Sequence, residues 1–403
     1  MRRLAAFALL ALFAACDDPA GPGERDRPDA AVSLVAGDVH TCALTERGEA
    51  YCWGASDVGQ LGTGTNVGST SPVAVTGGLR FTALAAAGKT TCGLTREGAA
   101  YCWGLNTDAQ LGNGTTTDAA VPQPVSGRLV FASVGVGGSH ACGSTRSGEA
   151  YCWGSNATGR LGTGSTTSSP VPVPVAGGLA FRSLSPGLLH TCAITTAGAT
   201  YCWGSNALGQ RGVGSGVTPA NATSPVAVPG TAFGSVSAGG AHTCALASGA
   251  AYCWGYNLYG QVGNGAGGGL VFTPAAVAGG LRFTAVYPGR ANSVVGFSCG
   301  IAEGGAAHCW GSSDAGQLGT TQALESCRLS QQTEFGCARA PVPVAGGLAF
   351  RTLALGRQHA CGLTTGGEVW CWGSNASGQL GNASNADSPV PVKVAGTLRF
   401  PSS

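Results

Sequence analysis

Short apolar runs alternate with clusters of Gly, Ser, Thr, Asn and Pro along most of the chain. The punctuation is too frequent for the 3.6-residue period of helices, and it predicts short β-strands divided by turns. The pattern also recurs. A Tyr-Cys-Trp-Gly string or a close variant places Trp53, Trp103, Trp153, Trp203, Trp254, Trp310 and Trp372 at spacings of 50, 50, 50, 51, 56 and 62 residues. Trp370 replaces the Tyr of the seventh copy. Each copy also carries forms of Pro-Val-x-Val, Gly-Gly-Leu-x-Phe, His-Thr-Cys-Ala-Leu and Gly-Gln-Leu-Gly. Four strands per unit and seven units predict an all-β, seven-bladed propeller over residues 32–403. An open solenoid would need distinct capping units. This chain instead enters at Val32-Ser33-Leu34-Val35, with no Pro-Val strand before it. It ends on Pro389 to Val394 and then Leu398-Arg399-Phe400. The C-terminal strand is therefore expected to complete the first blade and close the ring, leaving no long exposed sheet edge.

The 17 cysteines follow the repeat. Within the units Cys42 pairs with Cys52, Cys92 with Cys102, Cys142 with Cys152, and Cys192 with Cys202. The later units pair Cys244 with Cys253, Cys299 with Cys309, and Cys361 with Cys371. Six pairs are ten apart, so two Cys opposite each other on a hairpin need an odd loop. Three residues fit best, as in Glu46-Arg47-Gly48, and the third is Gly in all six: Gly48, Gly98, Gly148, Gly198, Gly305 and Gly367. A left-handed residue belongs there. Cys244 and Cys253 are nine apart, and the loop shrinks to Ser248-Gly249, which is also an allowed hairpin. The cysteines stay opposed despite the deletion, so they are expected to be disulfides rather than small buried hydrophobes. The spacing does not suit zinc. Cys327 and Cys337 form an eighth pair, in an insertion of about 12 residues before the last Pro-Val strand but one.

Composition narrows the class. Gly numbers 69 without a collagen triplet, and charged residues are 10%. The chain is too apolar for disorder. Its net charge of +2 lacks the basic excess of a nucleic-acid binder, so no nucleic acid is expected as a partner. Arg2 and Arg3 precede an apolar run from Leu4 to Ala15, which is too short to span a bilayer. Residues 1–15 read as a signal peptide. Phe13-Ala14-Ala15-Cys16 resembles a bacterial lipobox, with Phe13 in place of the usual aliphatic residue. Cys16 would be the lipidated N-terminus, and residues 16–31 a flexible tether rich in charge, Pro and Gly. An ordinary secretory signal with an incidental Cys16 is the alternative. One lipid cysteine and eight pairs account for all 17.

The run Gly37-x-x-His40-Thr41-Cys42-Ala43-Leu44-Thr45-x-x-Gly48-x-x-Tyr51-x-Trp53-Gly54, with Gly59-Gln60-Leu61-Gly62, resembles the regulator of chromosome condensation repeat. His190 to Gly209 and His359 to Gly381 are the cleanest later copies. The resemblance covers residues 32–400 and implies a seven-bladed propeller closed by mixed terminal strands. It implies little about activity, because the family spans an exchange factor, a photoreceptor and an inhibitor protein. The paired hairpin cysteines depart from the general motif and fit an oxidising compartment.

Candidate chemistry is sparse. His40, His140, His190, His242 and His359 recur at one position, where Thr90 and Phe297 stand in the other two units. A metal-binding ring on the axis is the functional reading, but such replacements favour a structural role. Asn106, Asn156, Asn206, Asn257 and Asn375 read as turn residues. Gly263 to Gly268 matches a dinucleotide fingerprint only formally, with no helix after it. No acid/base pair, nucleophile elbow, metal site or cofactor site is expected, and the chain reads as no enzyme. What breaks the repeat is more informative: Arg328, Phe335 and Arg339 in the insertion, Arg290 in an expansion of the sixth unit, and Tyr256 and Tyr259 in the fifth. Aromatic and Arg residues are typical interface anchors. The expected function is a monomeric recognition scaffold at the bacterial cell envelope, binding a protein or glycan through these loops. The alternative is a secreted hydrolase or lyase with its site on one propeller face.

Overall fold

The computed structural model describes residues 31–215, 220–290, 296–328 and 334–396. The lipobox with Cys16, residues 16–30 of the expected tether and Leu398-Arg399-Phe400 lie outside them, while Ala31 already opens the first strand. Every regular element described is a β-strand, and the strands form seven antiparallel sheets in sequence order. The first blade is typical: Ala31–Ala36, His40–Thr45, Ala50–Gly54 and Ser69–Ala74, numbered outward from the axis. The innermost strands of the seven blades together line a central cavity. The chain is thus a seven-bladed propeller.

Stacking of the blades explains the residue choice within each strand. The second strand is sandwiched between neighbouring blades and is buried on both faces, so His40–Thr45 shows no solvent-facing alternation. The outer strand is only partly covered. Each outer strand carries a proline, such as Pro72, Pro122, Pro170, Pro225, Pro274, Pro341 or Pro389. Proline withholds a backbone donor, which blunts an edge that could otherwise pair with another chain.

The hairpins take the loops that cysteine spacing dictates. Cys42 lies directly opposite Cys52, and Thr45 N–H donates to Glu49 O at 2.9 Å, enclosing Glu46-Arg47-Gly48. Gly48 has φ +80°. In the same register Cys102 faces Cys92, Cys152 faces Cys142, and Cys309 faces Cys299. In the fifth blade Ala247 pairs with Ala250, and Ser248 and Gly249 have φ +48° and +83°, the conformation of a two-residue hairpin loop. All eight expected cysteine pairs are disulfides. The seven hairpin pairs have Cα separations of 4.0–4.1 Å. Cys327 and Cys337 sit on a diagonal of their hairpin at 5.8 Å.

Ring closure differs from the expectation. Ser388–Lys393 is the outer strand of the seventh blade, where Cys371 faces Val392. It does not complete the first blade, whose outer strand is Ser69–Ala74. The reason is one of phase. Within a blade the Pro-Val strand follows Tyr-Cys-Trp-Gly, so the first blade already owns four consecutive strands. Side-by-side packing of the first and seventh blades closes the ring. Trp53 Nε1 donates to Gln379 O at 3.0 Å, and Ala383 N–H to Thr70 O at 2.9 Å.

Candidate interaction site

The recurring histidines belong to the seams between blades. His40 Nε2 meets Thr91 Oγ1 at 2.8 Å, and Thr91 donates to Gln60 O at 3.1 Å. The hydroxyl is therefore the acceptor for Nε2–H, and burial, which lowers the His40 pKa to about 4, keeps the imidazole neutral at pH 7. Trp103 Nε1 donates to the same Gln60 O at 3.1 Å. The pattern repeats as His140–Thr191, His190–Thr243 and His242–Ser298 at 2.8 Å, and as His359–Thr41 at 2.9 Å across the closing seam. The two units without His also lack the hydroxyl one blade on. Thr90 is followed by Ala141, and Phe297 by Ala360. That pairing, one repeat apart, is a signal the sequence already held. The histidines are seam residues, and among the described residues no three His, Cys, Asp or Glu side chains gather into a metal-binding group.

The Gly-Gln-Leu-Gly loops are held by the recurring Asn. Asn156 Oδ1 accepts from Leu161 N–H at 2.9 Å, while Nδ2 donates to Ser165 O and Thr167 O at 3.0 Å. The last Gly of each loop packs on the Trp of the next blade. A Cβ on Gly212 would sit 2.6 Å from Trp254 Nε1, at φ +70°. Both the space and the backbone therefore require glycine.

The departures from the repeat fall together. In an antiparallel blade, loops after the first and third strands emerge at one end, and those after the second and fourth at the other. Arg290 follows the first strand of the sixth blade, the Cys327–Cys337 insertion follows its third, and Tyr256 ends the third strand of the fifth, with Tyr259 just after it. All lie on one face, in adjacent blades. The insertion is a hairpin: Glu325–Arg328 pairs with Glu334–Pro343 and gives the sixth blade a fifth strand. Beneath it is a small aromatic core. Tyr259 is buried, with ring centroids 5.2 Å from Phe335 and 6.4 Å from Tyr256, against the Cys327–Cys337 bridge. Burial raises the pKa of both tyrosines.

The six candidate anchors thus divide. Arg328 and Arg339 are exposed and pair with Glu334 and Glu325, at 2.5 and 3.4 Å. The Arg328 hydrogen bond holds the Glu334 carboxyl below its usual range. Phe335 and Tyr256 are half-buried, with part of each ring on the surface. Tyr259 is a support rather than a contact. Arg290 turns inward to the axis, where Nη1 donates to Val136 O at 2.5 Å. Sequence alone could not show that blades five and six share one aromatic cluster.

Comparison with known proteins fits this architecture. The RCC1-like domain model matches residues 16–303. The chain belongs to the RCC1-like domain family. RCC1 repeats also match residues 350–379 and 366–401. Ultraviolet-B receptor UVR8 of Arabidopsis thaliana is 31% identical over 163 residues, which cover 40% of this chain and 33% of the receptor. Probable E3 ubiquitin-protein ligase HERC6 of Homo sapiens is 30% identical over 161 residues, covering 39% of this chain and 14% of the ligase. The matched part of this RCC1-like chain therefore spans a third or less of those relatives. Among solved structures, Prp20p of Saccharomyces cerevisiae, studied for its binding to Gsp1p and histones, superposes with a TM-score of 0.75 at 19% identity. The match covers 92% of this chain and 88% of Prp20p. Human WBSCR16 gives a TM-score of 0.71 at 17% identity over 84% of this chain and 88% of its own. These structural likenesses establish the shared fold.

Proposed function

We propose that this RCC1-like propeller is a non-catalytic recognition scaffold that binds a protein or glycan through the face bearing the Cys327–Cys337 hairpin. The single observation that supports this most is the convergence of the repeat's departures on one face of two adjacent blades. A rigid disulfide-bonded scaffold lowers the ordering cost of binding. Half-exposed aromatic rings beside arginines are suited to anchor a partner. The binding of Prp20p to Gsp1p and histones favours a protein partner. Eight disulfides fit an oxidising compartment. With the lipobox-like segment they support an exported protein tethered to a bacterial envelope membrane through Cys16. No helix among the described residues is long and apolar enough to cross a membrane.

The test is affinity capture from envelope extract with the full chain and with the Arg328→Glu/Phe335→Ser variant. Phe335 lies just ahead of the stretch of its strand, Gly336 to Pro343, that pairs with the third strand of the sixth blade. The expected result is loss of at least one partner captured by the unaltered chain. Equal capture of every partner would remove this face from the function.

A further inference from the structure

The eight disulfides sit in two different surroundings. The blade cysteines, from Cys42 and Cys52 to Cys361 and Cys371, are all fully buried. A neighbouring blade covers each pair. Phe81 and Trp103 of the second blade pack with Cys42 and Cys52, and Phe350 and Trp372 of the seventh with Cys299 and Cys309. A reagent reaches those sulfurs only when blades part. Cys327 and Cys337 lie instead at the edge of the sixth blade. Glu325–Arg328 is its outermost strand, and among the described strands it pairs on one side only, with Glu334 to Cys337. Cys327 keeps 6% of its surface exposed. Among the described residues the bridge packs with Tyr259 and the half-buried Tyr256 and Phe335. The ion pairs of the hairpin, Arg328 with Glu334 and Arg339 with Glu325, are exposed and add little. A segment held this lightly opens without unfolding the molecule.

We infer that Cys327–Cys337 is a redox-controlled latch: a dithiol reductant opens this bond, frees the Glu325–Arg328 strand and uncovers the buried Tyr259, while the seven blade bonds stay closed. Thiol–disulfide exchange needs a thiolate to reach one sulfur of the bond. A thiolate of the reductant attacks Cys327 Sγ, on the more exposed of the two residues. The S–S bond breaks, and Cys337 Sγ leaves as a thiolate that takes up a proton. The second thiol of the reductant then displaces Cys327 Sγ, which takes up the other proton. Two electrons and two protons pass to the chain, and the reductant ends as a disulfide. The stretch Gly336 to Pro343 stays paired with the third strand of the blade, so the opening stops at the hairpin. Control of partner binding by this latch would rest on the function proposed for the hairpin face; the selective opening does not.

Reduction of the native full chain with dithiothreitol, trapping with iodoacetamide and peptide mass spectrometry test the latch. Cys327 and Cys337 are expected to be labelled at least tenfold faster than any blade cysteine. Hydrogen exchange of the Glu325–Arg328 segment should quicken at least tenfold over the same interval and slow again on reoxidation. The Cys327→Ser/Cys337→Ser variant should show the fast exchange with no reductant present. Labelling of the blade cysteines at the same rate would overturn the inference. So would labelling of Cys327 and Cys337 without faster exchange in the unaltered chain, a readout that needs no variant to fold. No partner enters either measurement, so a failure here is distinct from a failure of the proposed function.

Discussion

Each recurring histidine is a neutral donor in a chain that ends on a backbone carbonyl, and this gives the protein a pH dependence. Burial lowers the pKa to about 4 for His40 and His242 and to about 3 for His190 and His359, and well below its ordinary value for His140. In the unfolded chain each returns to about 6.5. Below pH 6.5 the unfolded state takes up protons that the folded state refuses, so stability falls as the pH drops toward 4 and then 3. Asp38 acts in the opposite sense. Burial raises its pKa from 3.8 to about 6, so its contribution to stability falls as pH rises across that window. Five histidines outweigh one carboxyl. The midpoint of thermal unfolding should therefore be lower at pH 5 than at pH 7. A midpoint that is flat or higher at pH 5 would mean that the histidines carry charge in the fold. Conserving the seam also explains two odd positions: where Phe297 cannot donate, Ala360 offers no acceptor.

At the level of the strand and hairpin, the disulfides divide into two kinds. Cys192–Cys202 clamps the second and third strands inside a blade that is packed on both sides. Cys327–Cys337 clamps an added hairpin at the rim of the sixth blade. Replacing Cys192 and Cys202 with alanine should lower global stability by about 2–3 kcal/mol, from the added freedom of the unfolded chain. Replacing Cys327 and Cys337 should leave denaturant unfolding much less affected but speed proteolysis near the hairpin, because among the described residues its core is small: the bridge itself with Tyr259, Tyr256 and Phe335. Equal losses of global stability from the two replacements would show that the hairpin is part of the main cooperative unit.

For the whole molecule, the closing seam is built like the others. Thr41 bridges His359 and Gln379 O just as Thr191 bridges His140 and Arg160 O. Thr41→Val and Thr191→Val each leave a buried imidazole N–H without its acceptor, at a cost of about 1–3 kcal/mol. The two costs, measured by denaturant unfolding, should agree within about 0.5 kcal/mol. A much smaller cost for Thr41→Val would reveal a looser join between the first and last blades.

The blade count, the hairpin loops and the cysteine pairing were legible in the sequence because they rest on local constraints. A three-residue loop needs a left-handed third residue, and two cysteines opposed on a hairpin fix its length. The period, however, carries no phase. Only the assembled sheets show that the Pro-Val strand closes each blade rather than opens it, and that the last one stays in the seventh. The fates of Arg290 and Tyr259 were equally hidden. Both read as surface anchors by residue type and position in variable loops. Tertiary packing turned Tyr259 beneath a hairpin some 70 residues away in sequence and Arg290 across the axis to Val136. Burial of a side chain depends on what the rest of the ring places above it, and a local pattern does not contain that.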